Sequence, residues 1–130
     1  MQKSSLLSLL FILAISVNVN AQGTVPFTGT ELLGRPTDSS ITLNIIAGSS
    51  IDAYIKYGTE SGVYSGSTEI VSKSADIPVE ITISGLKANT KYYYRLVYSL
   101  DEGQTWQERD EYIFHTQRPP DSTFIFTIGK

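Results

Sequence analysis

The chain has 130 residues, with 10 Lys and Arg against 13 Asp and Glu, a formal net charge of −3 and no cysteine. This mild negative charge argues against a nucleic-acid partner and against an anionic membrane surface. Without cysteine there are no disulfides, so the stability of the fold must come from its hydrophobic core.

The N-terminal segment has the organisation of an export signal. Lys3 supplies one early cation, residues 6–17 are mostly apolar, and the small residue Ala21 ends the segment. The apolar stretch is too short to span a bilayer and is closely followed by polar residues. We therefore expect residues 1–21 to be a signal peptide that is removed on export to the periplasm or beyond. Its removal leaves nine cations against thirteen acids, a net charge of −4, and no membrane contact.

Short apolar segments with a period of two recur along residues 22–118. The alternating positions that share a face are Ile41, Leu43 and Ile45; Ile51, Ala53, Ile55 and Tyr57; Ile77, Val79, Ile81 and Ile83; Tyr92, Tyr94, Leu96 and Tyr98; and Tyr112, Phe114 and Thr116. A period of two gives each strand one buried and one solvated face. Turn signals separate the segments roughly every ten residues, as in antiparallel sandwiches. We predict one all-β domain, a seven-stranded antiparallel β-sandwich.

The stretch "GLKANTKYYYRL", residues 85–96, indicates a particular kind of sandwich. It carries Leu86, Thr90 four residues later and Tyr92 two residues after that. This pattern resembles the entry to strand F of fibronectin type III domains, although Ala88 stands where that family usually has proline. The resemblance implies that Leu86 closes the end of the sandwich. It also implies that the Tyr92 hydroxyl bonds back to the backbone across the corner.

A second local motif follows in "SLDEGQTW", residues 99–106, which matches the Asp-box pattern S-x-D-x-G-x-T-W. It is similar to the turn that sialidase propellers repeat. Asp101 can accept backbone N–H bonds, Gly103 can adopt a left-handed conformation, and Trp106 can fold over the turn. A single copy cannot build a propeller, so we predict a rigid turn between two strands.

Two aromatic residues are candidates for a contact surface. Alternation points Tyr93 outward, where it is either a stacking platform for a sugar or a base, or a β-forming residue on a half-buried face. Trp106 lies on a hairpin turn, and exposed aromatic residues on such turns often mark contact sites. Its hypothetical partner is a sugar or a neighbouring domain.

The order of four longer stretches suggests a lineage. "LLGRPTDSSITLNI", "YIKYGTESGVYS", "ISGLKANTKYYYRLVY" and "FHTQRPPDSTFIFTIG" together resemble the N-terminal fibronectin-type domain of purple acid phosphatase-like metallophosphoesterases. The resemblance covers Leu32 to Gly129. It implies that a larger α/β domain follows, whose two-metal centre hydrolyses phosphate esters and whose first metal ligand is the aspartate of a Gly-Asp pair. Here Gly129 matches that glycine, but Lys130 stands where the aspartate would be.

The end of the chain is interpreted through this resemblance. Residues 119–130 begin with Pro119-Pro120, whose fixed φ and missing N–H donors suit a stiff connection. We expect them to be a linker and the orphan first strand of a missing metallophosphoesterase domain. The chain would then be a truncated copy of a larger enzyme.

The chain's own chemistry does not suggest catalysis. A two-metal hydrolase needs several carboxylate and imidazole ligands, and His115 is the only histidine. We expect His115 to be solvated or singly bonded rather than a metal ligand. Two acidic pairs at the ends of the last hairpin, residues 101–102 and 110–111, are interpreted as solvated turn carboxylates with ordinary pKa values. The sequence therefore predicts no catalytic residue, cofactor or metal site.

Two functions remain open. The first is a non-catalytic accessory domain whose partner is the catalytic metallophosphoesterase domain of the parent enzyme. The second is a stand-alone secreted module that binds a glycan or a protein. Neither interpretation involves a nucleic acid.

Overall fold

The computed structural model describes residues 31–123, 125 and 129 of the chain. It contains nine strand segments: β1 (Leu32–Gly34), β2 (Ser40–Ile45), β3 (Ile51–Gly58), β4 (Gly66–Ser67), β5 (Val71–Lys73), β6 (Val79–Ser84), β7 (Lys91–Ser99), β8 (Gln107–Glu108) and β9 (Tyr112–His115). The proposed signal peptide lies outside the described residues, as does most of the terminal apolar run.

The segments form two antiparallel sheets. The smaller sheet has the order β1-β2-β6, and the larger has the order β4-β3-β7-β8, with β5 also paired to β3 and β9 also paired to β7. Because β4 and β5 pair with different parts of β3, and β8 and β9 with different parts of β7, the nine segments occupy seven strand positions. This arrangement of three and four positions is a fibronectin type III-like β-sandwich. The predicted all-β fold is confirmed.

The register places the apolar face of every long strand in the interior. In the smaller sheet Ile41 is opposite Ile83 and Leu43 is opposite Ile81. In the larger sheet Ile55 is opposite Leu96, and both side chains are fully buried. The apolar side chains at alternate positions therefore form the core between the two sheets, as expected for strands with a period of two.

Two predicted core positions are wrong: Tyr112, which begins β9 and is 40% exposed, and Ile77. Ile77 is outside β6, which begins at Val79, and the Ile77 side chain is 49% exposed. Pro78 separates the two residues and has no N–H to donate to a ladder, so the strand begins only after it. The apolar alternation in the sequence therefore extends to Ile77, two residues before β6 begins.

The turn before β7 is held by hydrogen bonds to Tyr92 within β7 and to Thr116 after β9. The Lys87 N–H donates to the Tyr92 hydroxyl at 2.9 Å, and Leu86 is 7% exposed within the core cluster. The Thr90 N–H donates to the Thr116 hydroxyl at 2.9 Å, while that hydroxyl donates to the Lys87 carbonyl at 2.6 Å. These contacts join the turn before β7 to Thr116, the residue directly after β9.

Candidate functional site

The turn that follows β7 is closed by the side chains of the Asp-box stretch. Asp101 accepts a hydrogen bond from the Thr105 N–H at 2.8 Å and another from the Thr105 hydroxyl at 2.7 Å. The Ser99 hydroxyl accepts the Gly103 N–H at 2.9 Å and donates to Asp101 at 2.8 Å. Each of these short contacts fixes one residue of the turn relative to another, so the turn has little freedom.

Trp106 packs against this turn. Gly103 has a φ of +83°, in the left-handed region that favours glycine, and a Cβ atom there would lie 3.6 Å from Trp106 Cζ2. The Trp106 side chain is nevertheless 37% exposed. The turn therefore supports one side of the indole and leaves another side in solvent.

On the outer face of the larger sheet, the indole meets a second ring. The ring centroids of Tyr54 and Trp106 are 5.3 Å apart, with an angle of 68° between the planes. Tyr54 is opposite Val97 in the ladder, and Val97 faces outward yet is only 2% exposed. Val97, the ladder partner of Tyr54, is therefore covered by its neighbours on this face.

The two rings line an open cleft of about 460 Å³, which we call the aromatic cleft. Its lining residues are Tyr54, Ser67, Thr68, Glu69, Ile70 and Trp106. Ile70 is 55% exposed. The cleft thus combines two aromatic rings and one aliphatic side chain with hydroxyl groups and a carboxylate, the mixture of groups that small-molecule sites use.

The other candidate contact residue, Tyr93, lies elsewhere on the same sheet. It is opposite Gly58 on one side and Ile113 on the other, and Lys91 Nζ is 5.1 Å from its ring centroid. It lies four positions before Val97 in β7, a distance of about 13 Å along an extended strand. Tyr93 and Trp106 therefore share a face but do not form one site.

Between the aromatic cleft and Tyr93, the outer face is occupied by a polar cluster around Glu111. This carboxylate accepts hydrogen bonds from the Ser61 hydroxyl at 2.6 Å, from the Gly62 N–H at 2.9 Å and from the Tyr64 hydroxyl. The Tyr64 hydroxyl also accepts a hydrogen bond from Arg95 Nε at 2.8 Å. The cluster attaches the loop between β3 and β4 to the chain just before β9.

The two hydrogen-bonded acids do not have the ordinary pKa values that the sequence suggested. The pKa of Asp101 is lowered to about 2, chiefly by the Thr105 hydroxyl and then by the Thr105 N–H. The pKa of Glu111 is also lowered to about 2, chiefly by the Ser61 hydroxyl and then by Tyr64. Donated hydrogen bonds stabilise the charged carboxylate, so the prediction is wrong for these two residues.

Cations on this face are engaged with neighbouring groups. Lys56 Nζ lies 2.5 Å from a Glu108 carboxylate oxygen and 4.6 Å from the centroid of the Tyr64 ring. Arg95 donates to the Arg109 carbonyl at 3.1 Å in addition to Tyr64. The one charged side chain in the lining of the aromatic cleft is the carboxylate of Glu69.

No local pattern in the sequence predicts the partly buried ion pair between Glu31 and Arg109. Glu31 Oε1 is 2.7 Å from Arg109 Nε, and the Glu31 side chain is 6% exposed. Burial raises the pKa of Glu31, and the charge of Arg109 partly opposes that rise. Burial also raises the pKa of Tyr94. The side chains of Glu31 and Tyr94 are buried, while the Arg109 side chain is 31% exposed.

His115 is on the exposed side of β9, while Phe114 beside it is buried. Its Nδ1 lies 2.9 Å from the Thr116 carbonyl oxygen. Within residues 31–123, 125 and 129, no group of three or more His, Cys, Asp or Glu side chains could hold a metal ion. These residues therefore do not fit the two-metal centre that the sequence resemblance implies for a following domain. The same part of the chain has no helix with the length and apolar character needed to cross a membrane.

Tyr54 and Glu111 are the residues whose importance the sequence did not reveal. Tyr54 occupies the solvated face of a strand, next to Asp52 and Lys56 in the alternation, and an aromatic residue in that position was the available signal. No local pattern brings Tyr54 to Trp106, which is 52 residues away in the chain, because strand pairing makes that contact.

No family model matches the chain, and no curated protein matches it either. Among solved structures, the solution structure of the sensor domain of the anti-sigma factor RsgI4 from Pseudobacteroides cellulosolvens is similar. It has a TM-score of 0.52 and 14% identity, with 81% of this chain and 92% of that chain covered. A second structure of that domain has a TM-score of 0.51 and 16% identity, covering 76% and 100%. The human fibronectin type III domain containing protein 3 contributes a domain with a TM-score of 0.49 and 16% identity, covering 79% and 99%.

At such identities, the similarity to the sensor domain shows the fold alone. It agrees with the β-sandwich described above. That a parent enzyme is a purple acid phosphatase-like metallophosphoesterase stays a prediction from the sequence.

Proposed function

We propose that this chain is a non-catalytic accessory module of an exported metallophosphoesterase of the purple acid phosphatase type. Its role is to pack beside the catalytic domain of the parent enzyme, without contributing metal ligands. The order of the four quoted sequence stretches supports the parent, and the fibronectin type III-like fold supports a binding or accessory role.

The observation that carries the non-catalytic role is the use of the acidic groups. Asp101 and Glu111, whose pKa values are lowered, are both acceptors of hydrogen bonds that close turns. A general acid or base working near neutral pH needs a pKa near that pH, and a carboxylate with a pKa of about 2 is far from it. These acids are therefore suited to holding loops rather than to moving protons.

A phosphatase assay on the purified chain tests this role. We expect no turnover of p-nitrophenyl phosphate with added zinc, manganese or iron beyond that of the metal in buffer. Turnover that persists through successive purification steps, and that follows the protein in each of them, would contradict the proposal.

The parent assignment has a separate test in the coding DNA. We expect the reading frame beyond the codon for Lys130 to continue, directly or after a frameshift, into segments that encode Gly-Asp and Asn-His motifs. A natural stop codon followed by a transcription terminator would instead favour the second candidate.

The second candidate is a stand-alone secreted module that binds a glycan or a protein. The observation that favours it is the aromatic residue Trp106, which is 37% exposed although hydrogen bonds close the turn beneath it. Titration of a Trp106→Ala variant with oligosaccharides and with the cognate catalytic domain separates the two candidates. Loss of binding to the catalytic domain alone supports the accessory role, and loss of sugar binding alone supports the second.

A further inference from the structure

The aromatic cleft has the shape of a corner. The planes of Tyr54 and Trp106 meet at 68° with their centroids 5.3 Å apart, so they do not form one flat surface. A ligand that enters the corner meets the face of one ring and the side of the other. This geometry suits a compact ring with an apolar face and a polar rim better than it suits a long planar surface.

The corner is held in place before any ligand arrives. Trp106 rests on a turn that Asp101 and Ser99 close, and Tyr54 lies in β3, which pairs with β7 along one side. Preorganised rings lose little conformational freedom when a ligand binds, which lowers the entropic cost of association. The rigid Asp-box turn therefore also holds the Trp106 ring in position for a ligand.

The polar groups at the rim determine the chemical class of the ligand. The Thr68 hydroxyl already accepts the Ile55 N–H at 3.0 Å and donates to the Glu69 carbonyl at 3.2 Å. Ser67 and the Glu69 carboxylate remain as the rim groups that face solvent. A carboxylate accepts hydrogen bonds at two oxygens, which matches two neighbouring hydroxyl groups of a sugar.

Charge argues against the other ligands that stack on aromatic rings. Glu69 is the charged side chain of the cleft, and the chain as a whole carries −3. Both would repel a uronic acid or the phosphates of a nucleic acid. A second cavity of about 330 Å³ lies beside Asp52, Lys73 and Glu102, but no aromatic ring lines it.

We propose that the aromatic cleft binds a pyranose unit of a neutral glycan, with the ring stacked in the Tyr54–Trp106 corner and its hydroxyl groups directed to Glu69. The proposal rests on the second candidate above, the module that binds a glycan or a protein, and gives that candidate a ligand class. It makes Tyr54, Trp106 and Glu69 the residues that select the ligand.

The chain offers a direct reporter, because Trp106 is its only tryptophan. The full chain is titrated with neutral hexasaccharides of β-1,4-glucose, β-1,4-mannose, β-1,4-xylose and α-1,4-glucose, and with an oligogalacturonate as the anionic comparison. We expect a saturable change in tryptophan fluorescence with at least one neutral oligosaccharide and none with the oligogalacturonate. The absence of any saturable response, or a response to the anionic sugar alone, would overturn the proposal.

Variants locate the binding in the cleft. By calorimetry, we expect Tyr54→Ala and Trp106→Ala to weaken the affinity for the bound oligosaccharide about tenfold, since each removes one of the two rings that contact the sugar. Ile70 in the cleft and Ile113 outside it are both 55% exposed and form a matched pair. Ile70→Ala should weaken binding, whereas Ile113→Ala should leave it unchanged.

The Glu69→Gln variant keeps the proposal testable if Tyr54→Ala or Trp106→Ala does not fold. Glu69 is exposed, so this change should leave the melting temperature unchanged while weakening sugar binding several-fold. Unchanged affinity in both Glu69→Gln and the folded aromatic variants would sink the assignment. So would loss of binding to the catalytic domain in those variants, with no response to any sugar.

The two proposals fail in different assays. An inactive chain that binds no sugar overturns the glycan site and leaves the accessory role in place. Phosphatase turnover by the chain overturns the accessory role, whatever the fluorescence shows.

Discussion

Two carboxylates of the larger sheet, those of Asp101 and Glu111, hold a turn and a loop in place through hydrogen bonds. Asp101 and Glu111 each accept at least three donated hydrogen bonds, and each connects a turn to a neighbouring residue or loop. Their charge is stabilised by these donors rather than by a cation in direct contact. The pKa values of both groups therefore fall to about 2, below the ordinary 3.8 of Asp and 4.5 of Glu.

These lowered pKa values make stability depend on pH in a defined range. A carboxyl group with a lower pKa when folded contributes stability that is present above its ordinary pKa and is lost as pH falls through the folded pKa. We expect the melting temperatures of Asp101→Asn and Glu111→Gln to lie below that of the wild type at pH 6. The gap should narrow steadily from about pH 4.5 towards pH 2. Thermal melts by circular dichroism across this range would measure it, and a gap that stays constant down to pH 2 would contradict the role.

The Tyr92 hydroxyl is a single atom with a structural task at the corner. Tyr92→Phe keeps the buried ring but leaves the Lys87 N–H without its partner at 2.9 Å. We expect a loss of about 1–3 kcal/mol in the free energy of unfolding. Urea denaturation measures this, with Tyr93→Phe as the control, since that neighbour faces outward. Equal losses in the two variants would show that the corner bond contributes nothing specific.

At the scale of elements, the loop between β3 and β4 is packed closely against the end of β3. A Cβ atom on Gly58 would lie 2.0 Å from the Val63 carbonyl oxygen, a distance at which backbone must move. The same loop pairs Glu60 with Val63 and is attached to Glu111 through Gly62. Glycine at position 58 is therefore required by the close approach of two backbone segments.

Gly58→Ala should disturb this loop as a unit. We expect a loss of about 1–3 kcal/mol, because the added methyl group displaces the Val63 carbonyl and strains the contacts around it. Gly34→Ala is the matched control, since nothing lies within 4 Å of a Cβ at that position of β1. Hydrogen exchange would show faster exchange at residues 60–64 in Gly58→Ala alone. Protection equal to the wild type would contradict the close packing.

For the molecule as a whole, the interior between the two sheets carries the stability. The core is built from both sheets, including Leu43 and Val79 from the smaller and Ile55 and Leu96 from the larger, each at most 1% exposed. With no cysteine in the chain, this apolar packing has no covalent support. A small single domain has only about 5–15 kcal/mol of net stability, so one core truncation removes a large part of it.

Leu96→Ala tests this dependence. The side chain is fully buried at the centre of β7, opposite Ile55, and we expect truncation to cost about 2–5 kcal/mol through lost burial and the remaining cavity. Leu32→Ala, at a position 67% exposed, should change stability little. Chemical denaturation followed by circular dichroism compares the two. A cost at position 96 no larger than at position 32 would mean that the core is not organised around β7.

Much of the fold was predictable because its signals are local. The period-two patterns of β2, β3 and β7 specify which side chains point inward, and turn residues separate the strands. The error at Ile77 arose because alternation alone does not show where Pro78 stops the ladder. The lowered pKa values could not be predicted, since they require knowledge of which donors reach each carboxylate across the folded chain.

The sequence by itself determined the all-β class, the buried faces of the strands and the Asp-box turn that carries Trp106, because each depends on residues close together in the chain. Only the tertiary structure decided that Tyr54 joins Trp106 in a cleft while Tyr93 lies apart from both. The physical reason is strand pairing. Ladder register sets which outward side chains become neighbours across distant parts of the chain, and that register depends on the packing of the whole sandwich.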